Sequence, residues 1–386
     1  MKQTPPVFQE AASAKFWTKQ LKKLGIYLHT PFCKRKCAYC DFYSLSGNNE
    51  LYDKYTAALC ERVEFYGARL SRSADTLYLG GGTPSLLGGE RISRIVSTAK
   101  ENFSLQNAEI TLEANPADNL ADTLKIAVQS GVNRLSLGVQ SAIQSELKAL
   151  SRRHNNSDVI RTVSDARAAG IENISCDLMI GIPGQTVSSI CESLDFILFL
   201  NPKHISVYIL KIEPETPFGR TKLELLNLPN DDITADLYLK VCEILKSEGF
   251  IHYEISNFAK EGYSSKHNLK YWNCEEYLGL GPAAHSFLNG KRTYYERDID
   301  QFFAGDNPIF ESDGGSREEY IMLRLRLLDG LKFCDYKSLF GEEFPNETTT
   351  KAQGYEKIGL MTITQSGIAL TERGFLVSNS IISSLM

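Results

Sequence analysis

The sequence predicts an α/β protein: a partial (β/α)6 barrel over the first two-thirds, then a small, mainly helical C-terminal domain. Three observations carry this. Short β-rich runs alternate with longer helical segments, a pattern that builds a parallel sheet through right-handed crossovers. The alternation stops after six units, short of the eight that close a full barrel. Polar motifs recur at the C-terminal ends of the strands, where β/α barrels keep their working groups.

The first strand, Gly25–His29, runs into a loop carrying Cys33, Cys37 and Cys40, followed by the helical segment Tyr52–Leu70. Thr76–Leu79 leads into Gly80-Gly81-Gly82-Thr83-Pro84-Ser85 and then the helix Glu90–Asn102. Glu109–Glu113 ends in Glu113-Ala114-Asn115-Pro116 and is followed by Leu120–Gln129. Arg134–Gly138 ends in Gly138-Val139-Gln140-Ser141, with Ser157–Ala169 behind it. Ile174–Met179 contains Asp177 and precedes Ser188–Phe199, and the sixth strand, His204–Leu210, precedes Glu213-Pro214. Each helical segment repeats apolar residues at intervals of three and four. From Asp231 the pattern changes: a helix, Asp231–Glu248, enters Tyr253–Phe258 and then an aromatic- and Gly-rich stretch to about Tyr295. Ser312–Ser316 (Ser-Asp-Gly-Gly-Ser) reads as a linker, with a helix, Arg317–Leu328, beyond it. The expected divisions are a lead-in (1–24), the barrel (25–250), an extension carrying a His-Asn-x-x-Tyr-Trp motif (251–311) and the C-terminal domain (312–386).

A chain of 386 residues buries a large core, and 42% apolar with 23% charged residues is ordinary for a globular protein. A formal charge of −5 argues against nucleic-acid binding, which runs on phosphate neutralisation. No run of about twenty apolar residues could span a bilayer; the longest candidate, Leu194–Leu200, is short and broken by Asp195. Met1–Lys23 lacks an apolar signal core, so a cytoplasmic placement is expected. Nine cysteines without an export signal imply a reducing compartment. Cys60, Cys176, Cys191, Cys242 and Cys334 stand apart and are expected to be buried small hydrophobes.

Cys33, Cys37 and Cys40 have the spacing C-x3-C-x2-C, which points to a metal site rather than a disulfide framework. Three thiolates leave a four-ligand site incomplete. A cube-shaped iron–sulfur cluster usually takes four cysteines, so with three one iron is open, and an open metal position is where chemistry happens. A zinc site with a distant fourth ligand is the alternative. The spacing resembles the signature of the radical S-adenosylmethionine (SAM) superfamily. That resemblance implies a [4Fe–4S] cluster whose open iron is chelated by SAM, and one-electron cleavage of a carbon–sulfur bond.

Gly80–Gly82 offers backbone groups with no side chain in the way, although in isolation such a run is more often just a turn. Glu113, Gln140, Arg152 and Asp177 are residue types that can accept from ribose hydroxyls and an ammonium or pair with a carboxylate. Taken singly, Arg152 reads as well as a solvated helix end, and Asp177 as a cap. Their order along the chain resembles the oxygen-independent coproporphyrinogen III oxidase family, and within it the haem-chaperone branch known as HemW. The resemblance runs from Tyr27 to the end. It rests on Tyr27 with the three cysteines and Asp41-Phe42, on Gly80–Ser85, Gly138–Ser141, Asp177 with Gly181–Thr186, and His267-Asn268-Leu269-Lys270-Tyr271-Trp272. It implies that Tyr27, Gly81 and Glu113 contact the SAM on the cluster. Tyr39, Gly82, Thr83, Gln140, Arg152 and Asp177 match positions that hold a second SAM in the oxidases, so one or two SAM molecules are expected.

Two departures separate the chain from the oxidases. These carry a further cysteine two residues after the third, where this chain has Phe42, and they precede the motif with a longer N-terminal segment. His267-Asn268-x-x-Tyr271-Trp272 instead matches the chaperone branch. An imidazole can ligate haem iron while aromatic faces pack on the macrocycle, so His267, Tyr271 and Trp272 are candidate haem residues. A structural histidine with core aromatics fits equally, and Cys274, His252 and His285 are rival ligands. The resemblance implies haem as cargo, a haem donor, acceptor haemoproteins of the respiratory chain, and a C-terminal domain that covers the barrel mouth or meets a partner or membrane surface. The competing expectations are oxidative decarboxylation of coproporphyrinogen III propionates, or radical chemistry on another substrate.

Overall fold

The computed structural model describes residues 22–116 and 118–386, so most of the expected lead-in lies outside the described residues. Six parallel strands, β1 (Leu24–Thr30), β2 (Ala74–Gly81), β3 (Glu109–Ala114), β4 (Arg134–Gln140), β5 (Asn173–Ile180) and β6 (His204–Ile209), pair in chain order. The helices α1 (Asn49–Leu70), α2 (Gly89–Phe103), α3 (Ala121–Ser130), α4 (Gln144–Ala149), α5 (Asn156–Ala169), α6 (Val187–Phe199) and α7 (Asp231–Ser247) follow them. The strands read as nearly continuous apolar runs because helices cover the outer face and side chains fill the inner one. Leu24, Ile26 and Leu28 of β1 are all fully buried. Helix boundaries follow local chemistry. The Asn48 side chain accepts the Leu51 N–H to open α1, and Asn155 with Asp158 forms a capping box that opens α5, which closes on Gly170 at φ 103°.

The extension splits between both sheet edges. β7 (Ile251–Glu254) and β8 (Asn257–Ala259) add antiparallel strands beyond β6. After α8 (Lys266–Trp272), β9 (Tyr277–Leu280) returns parallel to β1, and β10 (His285–Leu288), β11 (Lys291–Tyr294) and, after α9 (Ile299–Ala304), β12 (Ile309–Asp313) continue antiparallel. The result is one twelve-stranded sheet, ordered β12-β11-β10-β9-β1-β2-β3-β4-β5-β6-β8-β7. These added strands are too short to show a period of their own. β12 takes in Ser312 and Asp313 of the expected linker.

The C-terminal segment folds as α10 (Arg317–Arg324), β13 (Leu331–Lys332), α11 (Phe333–Phe340), α12 (Asn346–Glu356), β14 (Met361–Ile363), β15 (Gly367–Leu370), α13 (Glu372–Leu376) and α14 (Ser378–Leu385), with a small antiparallel sheet ordered β13-β15-β14. It packs against β7, α7 and α8. Leu328 N–H reaches Tyr253 O at 3.1 Å and Ile255 N–H reaches Arg326 O at 2.9 Å. Arg324 holds Asn273, just past α8. Its apolar residues join those of the barrel in one continuous core. Of the lone cysteines, Cys60, Cys176 and Cys242 are buried as expected, whereas Cys191 is half-buried and Cys334 exposed. Among the described residues no helix is long and apolar enough to cross a membrane.

Candidate functional site

The cysteine loop is folded by its own backbone. Phe32 is fully buried and packs on Tyr52 and Tyr55, with ring centroids 4.8 and 5.2 Å apart. Leu45 N–H returns to Pro31 O at 2.7 Å and Cys33 N–H to Leu45 O at 2.9 Å, so the loop doubles back on β1. Between these anchors Cys40 N–H bonds Cys37 O at 3.2 Å. Cys33, Cys37 and Cys40 are left free and half-buried. They face a cavity of about 550 Å3 at the C-terminal ends of the strands.

Glu113, Gln140, Arg152 and Asp177, contributed by or near successive strands, line this cavity with Tyr39, Gly81, Gly82 and Thr83. Tyr27 is not among the lining residues; its hydroxyl donates to His29 Nδ1 at 3.0 Å. Burial holds His29 down to about 4, so its ring is neutral and Nε2–H donates to Tyr43 O at 3.2 Å. The cavity ends at Arg297 in the chain, so the C-terminal domain does not cover this mouth.

The glycines serve packing as much as ligand approach. A Cβ on Gly81, at φ 106°, would stand 2.5 Å from the His29 ring. One on Gly82 would meet backbone alone: Phe32 O at 2.6 Å and Phe32 N and Thr30 O at 2.8 Å. Gly82 N–H bonds Thr30 O (2.8 Å) and Thr83 N–H bonds Phe32 O (2.7 Å), locking the end of β2 onto the cysteine loop. Glu113 accepts from Tyr78 OH at 2.8 Å and from Gly81 N–H at 3.0 Å. Burial pushes its carboxyl up to about 7 against the pull of the Tyr78 hydroxyl, and Asp177 adds to the rise. Burial also raises Asp177 to about 6, while the Ser206 hydroxyl, Arg134 and Arg152 draw it down. The half-buried Arg152 fork spans Gly138 O (2.5 Å) and Cys37 Sγ (3.4 Å).

Sequence reasoning missed several lining residues. Tyr208 and Ile209 at the end of β6 line the cavity while 42% and 43% exposed, and Leu210, Met179 and Arg297 join them. Apolar residues left in solvent at a strand's C-terminal end mark a binding face, but that exposure is read from the fold and not from the sequence.

The donor set fits a thiolate-held metal cluster. Burial pushes the Cys40 thiol up to about 11; the Phe42 backbone pulls it down, and Cys37 and Cys33 push it further up. All three thiols line one cavity, and a bound metal cation would hold Cys40 as the thiolate. Gln140 stands at φ 68°, with its buried Oε1 unpartnered among the described residues, so one polar group of the cavity awaits a donor. The residues present fit a [4Fe–4S] cluster and SAM.

The His-Asn-x-x-Tyr-Trp segment forms α8 at the opposite end of the barrel. Glu109, at the start of β3, accepts the Lys266 and His267 N–H groups at 3.2 and 3.1 Å. His267 is buried, with Nδ1 bonded to Thr76 Oγ1 and Nε2 to Tyr271 OH, both at 2.8 Å. Burial, then Lys270 and Arg134, holds it down to about 3. Trp272 is half-buried at the end of α8.

Residues 27–197 match the model of the radical SAM superfamily and residues 317–377 the HemN C-terminal domain. Relatives match nearly end to end. A Lactococcus lactis protein named heme chaperone HemW is 33% identical, over 93% of this chain and 96% of its own. The chain belongs to the HemW family of radical SAM proteins. The HemW of Bacillus subtilis is 34% identical over 93% of this chain and 98% of its own, and that of Escherichia coli 33% identical over 94% and 98%. The fold of this HemW-family member matches the solved coproporphyrinogen III oxidase (HemN) of Escherichia coli, a radical SAM enzyme, with a TM-score of 0.84. That match covers 99% of this chain and 94% of the oxidase at 23% identity.

Proposed function

We propose that this chain is a haem chaperone: it carries haem on a radical SAM core, receives it from a donor and passes it to haemoproteins of the respiratory chain. The observation that carries this reading is the near end-to-end similarity to proteins named heme chaperone HemW, at 33–34% identity. Phe42, which is 62% exposed at the cavity wall, stands where the oxidases carry a further cysteine, and this counts against coproporphyrinogen oxidation.

In this reading Cys33, Cys37 and Cys40 hold the cluster, and the bound cluster with SAM supplies one-electron chemistry. Arg152 keeps a positive charge against Cys37 Sγ and Gly138 O. Glu113 and Asp177 are the acceptors for an ammonium and for ribose hydroxyls, Gln140 offers its free Oε1, and Tyr39, Gly81, Gly82 and Thr83 form the wall. Tyr27 acts through His29, which its hydroxyl orients. His267, Tyr271 and Trp272 are candidates for the haem site; ligation by His267 requires release of its bonds to Thr76 and Tyr271. The C-terminal domain, lying away from the mouth, is the contact for a partner or a membrane surface.

The test is an anaerobic assay of cluster-loaded protein with SAM, a reductant and coproporphyrinogen III, with an oxidase as positive control, beside transfer of bound haem to an apo-haemoprotein. The chaperone reading expects haem transfer without protoporphyrinogen. Turnover to protoporphyrinogen makes the chain an oxidase instead.

A further inference from the structure

All six histidines of the chain lie among the described residues, and five are sealed: His29, His154, His204, His252 and His267 are each less than 7% exposed. In His29, His204 and His267 both ring nitrogens are engaged. The remaining soft donor near the family motif, Cys274, is buried at 2%. His285 is the exception. It opens β10, with 54% of its side chain exposed.

The surroundings of His285 are those of a metal-ligating imidazole. Its Nδ1 faces Glu311 Oε2 at 3.3 Å, so Nδ1–H donates to the carboxylate. Nε2 then carries the lone pair and has no partner among the described residues. Iron-binding histidines are oriented and made more basic by such a carboxylate. Tyr294, across the β10–β11 pair, stacks on the ring at 5.5 Å between centroids and 26° between planes, fixing its attitude. The groove in front has a volume of about 500 Å3, within the roughly 300–1,000 Å3 of cofactor sites. Its apolar wall is Phe310 on the edge strand β12, 47% exposed, next to Ile309 at 40%. At its other end stands Arg297, which also lines the cluster cavity and pairs with Asp41 at 2.9 Å, one residue from Cys40.

We propose that this groove is the haem site, with His285 Nε2 as the axial ligand, Phe310 and Tyr294 against the macrocycle, and Arg297 facing a propionate. The proposal rests on the haem-carrier reading above and moves the ligand from the sealed His267 to the one histidine that reaches solvent. An open groove on a sheet edge also suits a cargo that must leave. The same arginine joins the haem groove to the cluster loop.

Ferric haem titrated anaerobically into full-length, cluster-loaded protein tests this, read by the Soret band, the ferric haem electron paramagnetic resonance signal and the dissociation constant. His285→Ala is expected to lose the histidine-ligated spectrum and to bind at least about tenfold more weakly, with added imidazole restoring the spectrum. Glu311→Gln keeps ligation and shifts the spectrum, and His267→Ala binds as wild type. His285 is exposed, so circular dichroism of its variant should match wild type. Wild-type affinity and spectrum in His285→Ala, or their loss in a folded His267→Ala, overturns the assignment while leaving the carrier reading in place. A wild-type protein that binds no haem overturns both.

Discussion

Gly82→Ala tests whether the glycine run exists to seat the cysteine loop. The new methyl would lie 2.6–2.8 Å from Phe32 O, Phe32 N and Thr30 O. All three are backbone atoms, so no side chain can swing away. Overpacking of this kind costs about 1–3 kcal/mol. Relief by moving the loop breaks Gly82 N–H to Thr30 O and Thr83 N–H to Phe32 O, at about 1 kcal/mol each. Whichever way the clash resolves, the cost is about 1–3 kcal/mol, a sizeable share of the roughly 5–15 kcal/mol that holds a typical domain. Cys33 follows Phe32 directly, so cluster assembly should fail together with stability. The assay is iron and sulfide per chain after anaerobic reconstitution, beside the urea midpoint. Gly354→Ala, inside α12 with nothing within 4 Å of the added carbon, is the control and should gain about 0.5–1 kcal/mol. Wild-type iron content and an unchanged urea midpoint in Gly82→Ala would refute the packing argument.

Cys37→Ser should leave the barrel folded and drop cluster iron to background; full iron incorporation would remove Cys37 from the ligand set. Asp177→Asn removes a charged acceptor worth about 1.5–3 kcal/mol, so calorimetry on cluster-loaded protein should show roughly 10- to 100-fold weaker SAM binding with iron content unchanged. His154 is buried, with Nε2–H donating to Val139 O at 2.9 Å, and burial lowers it to about 4. It stays neutral in the fold while the unfolded chain protonates near 6.5, so its contribution is present above that pH and is lost as pH falls toward 4. His154→Gln should therefore flatten the stability profile between about pH 4 and 6.5 by up to about 1.4 kcal/mol per pH unit, and superimposable urea–pH profiles would contradict this. Removing Arg317–Met386 uncovers apolar faces of α7, α8 and β7 that share its core, so the truncated chain should aggregate; a monodisperse, cluster-competent product would show that the barrel stands alone.

The six barrel strands and their crossover helices were legible because each strand is a buried apolar run and each helix repeats every three to four residues. Residues 251–311 were legible only as a change of pattern. Their strands are three to five residues long and take their places by pairing with β1 and β6, partners more than forty residues away in sequence. The cavity wall shows the same division. Glu113, Gln140 and Asp177 were readable from residue type and strand-end position, and Arg152 from its type and its place in the order of motifs. Tyr208 and Arg297 were not, because nothing local distinguishes an exposed tyrosine or arginine that faces a cavity.

The cysteine spacing and strand-end motifs by themselves pointed to Cys33, Cys37 and Cys40 as the proposed cluster ligands and to the mouth at which the cavity lies. Both follow from short-range geometry: a loop of eight residues turns its own thiols to one cavity, and a parallel strand delivers its last residues to one end. Which histidine meets solvent was decided by the tertiary structure alone. In the sequence the His-Asn-x-x-Tyr-Trp motif makes His267 the candidate and His285 only a rival. Packing of α8 under β2 and β3 gives His267 two buried hydrogen-bond partners, while the sheet edge leaves His285 Nε2 facing an open groove. Burial and the competition of neighbouring donors are properties of the folded surface, and no spacing rule encodes them.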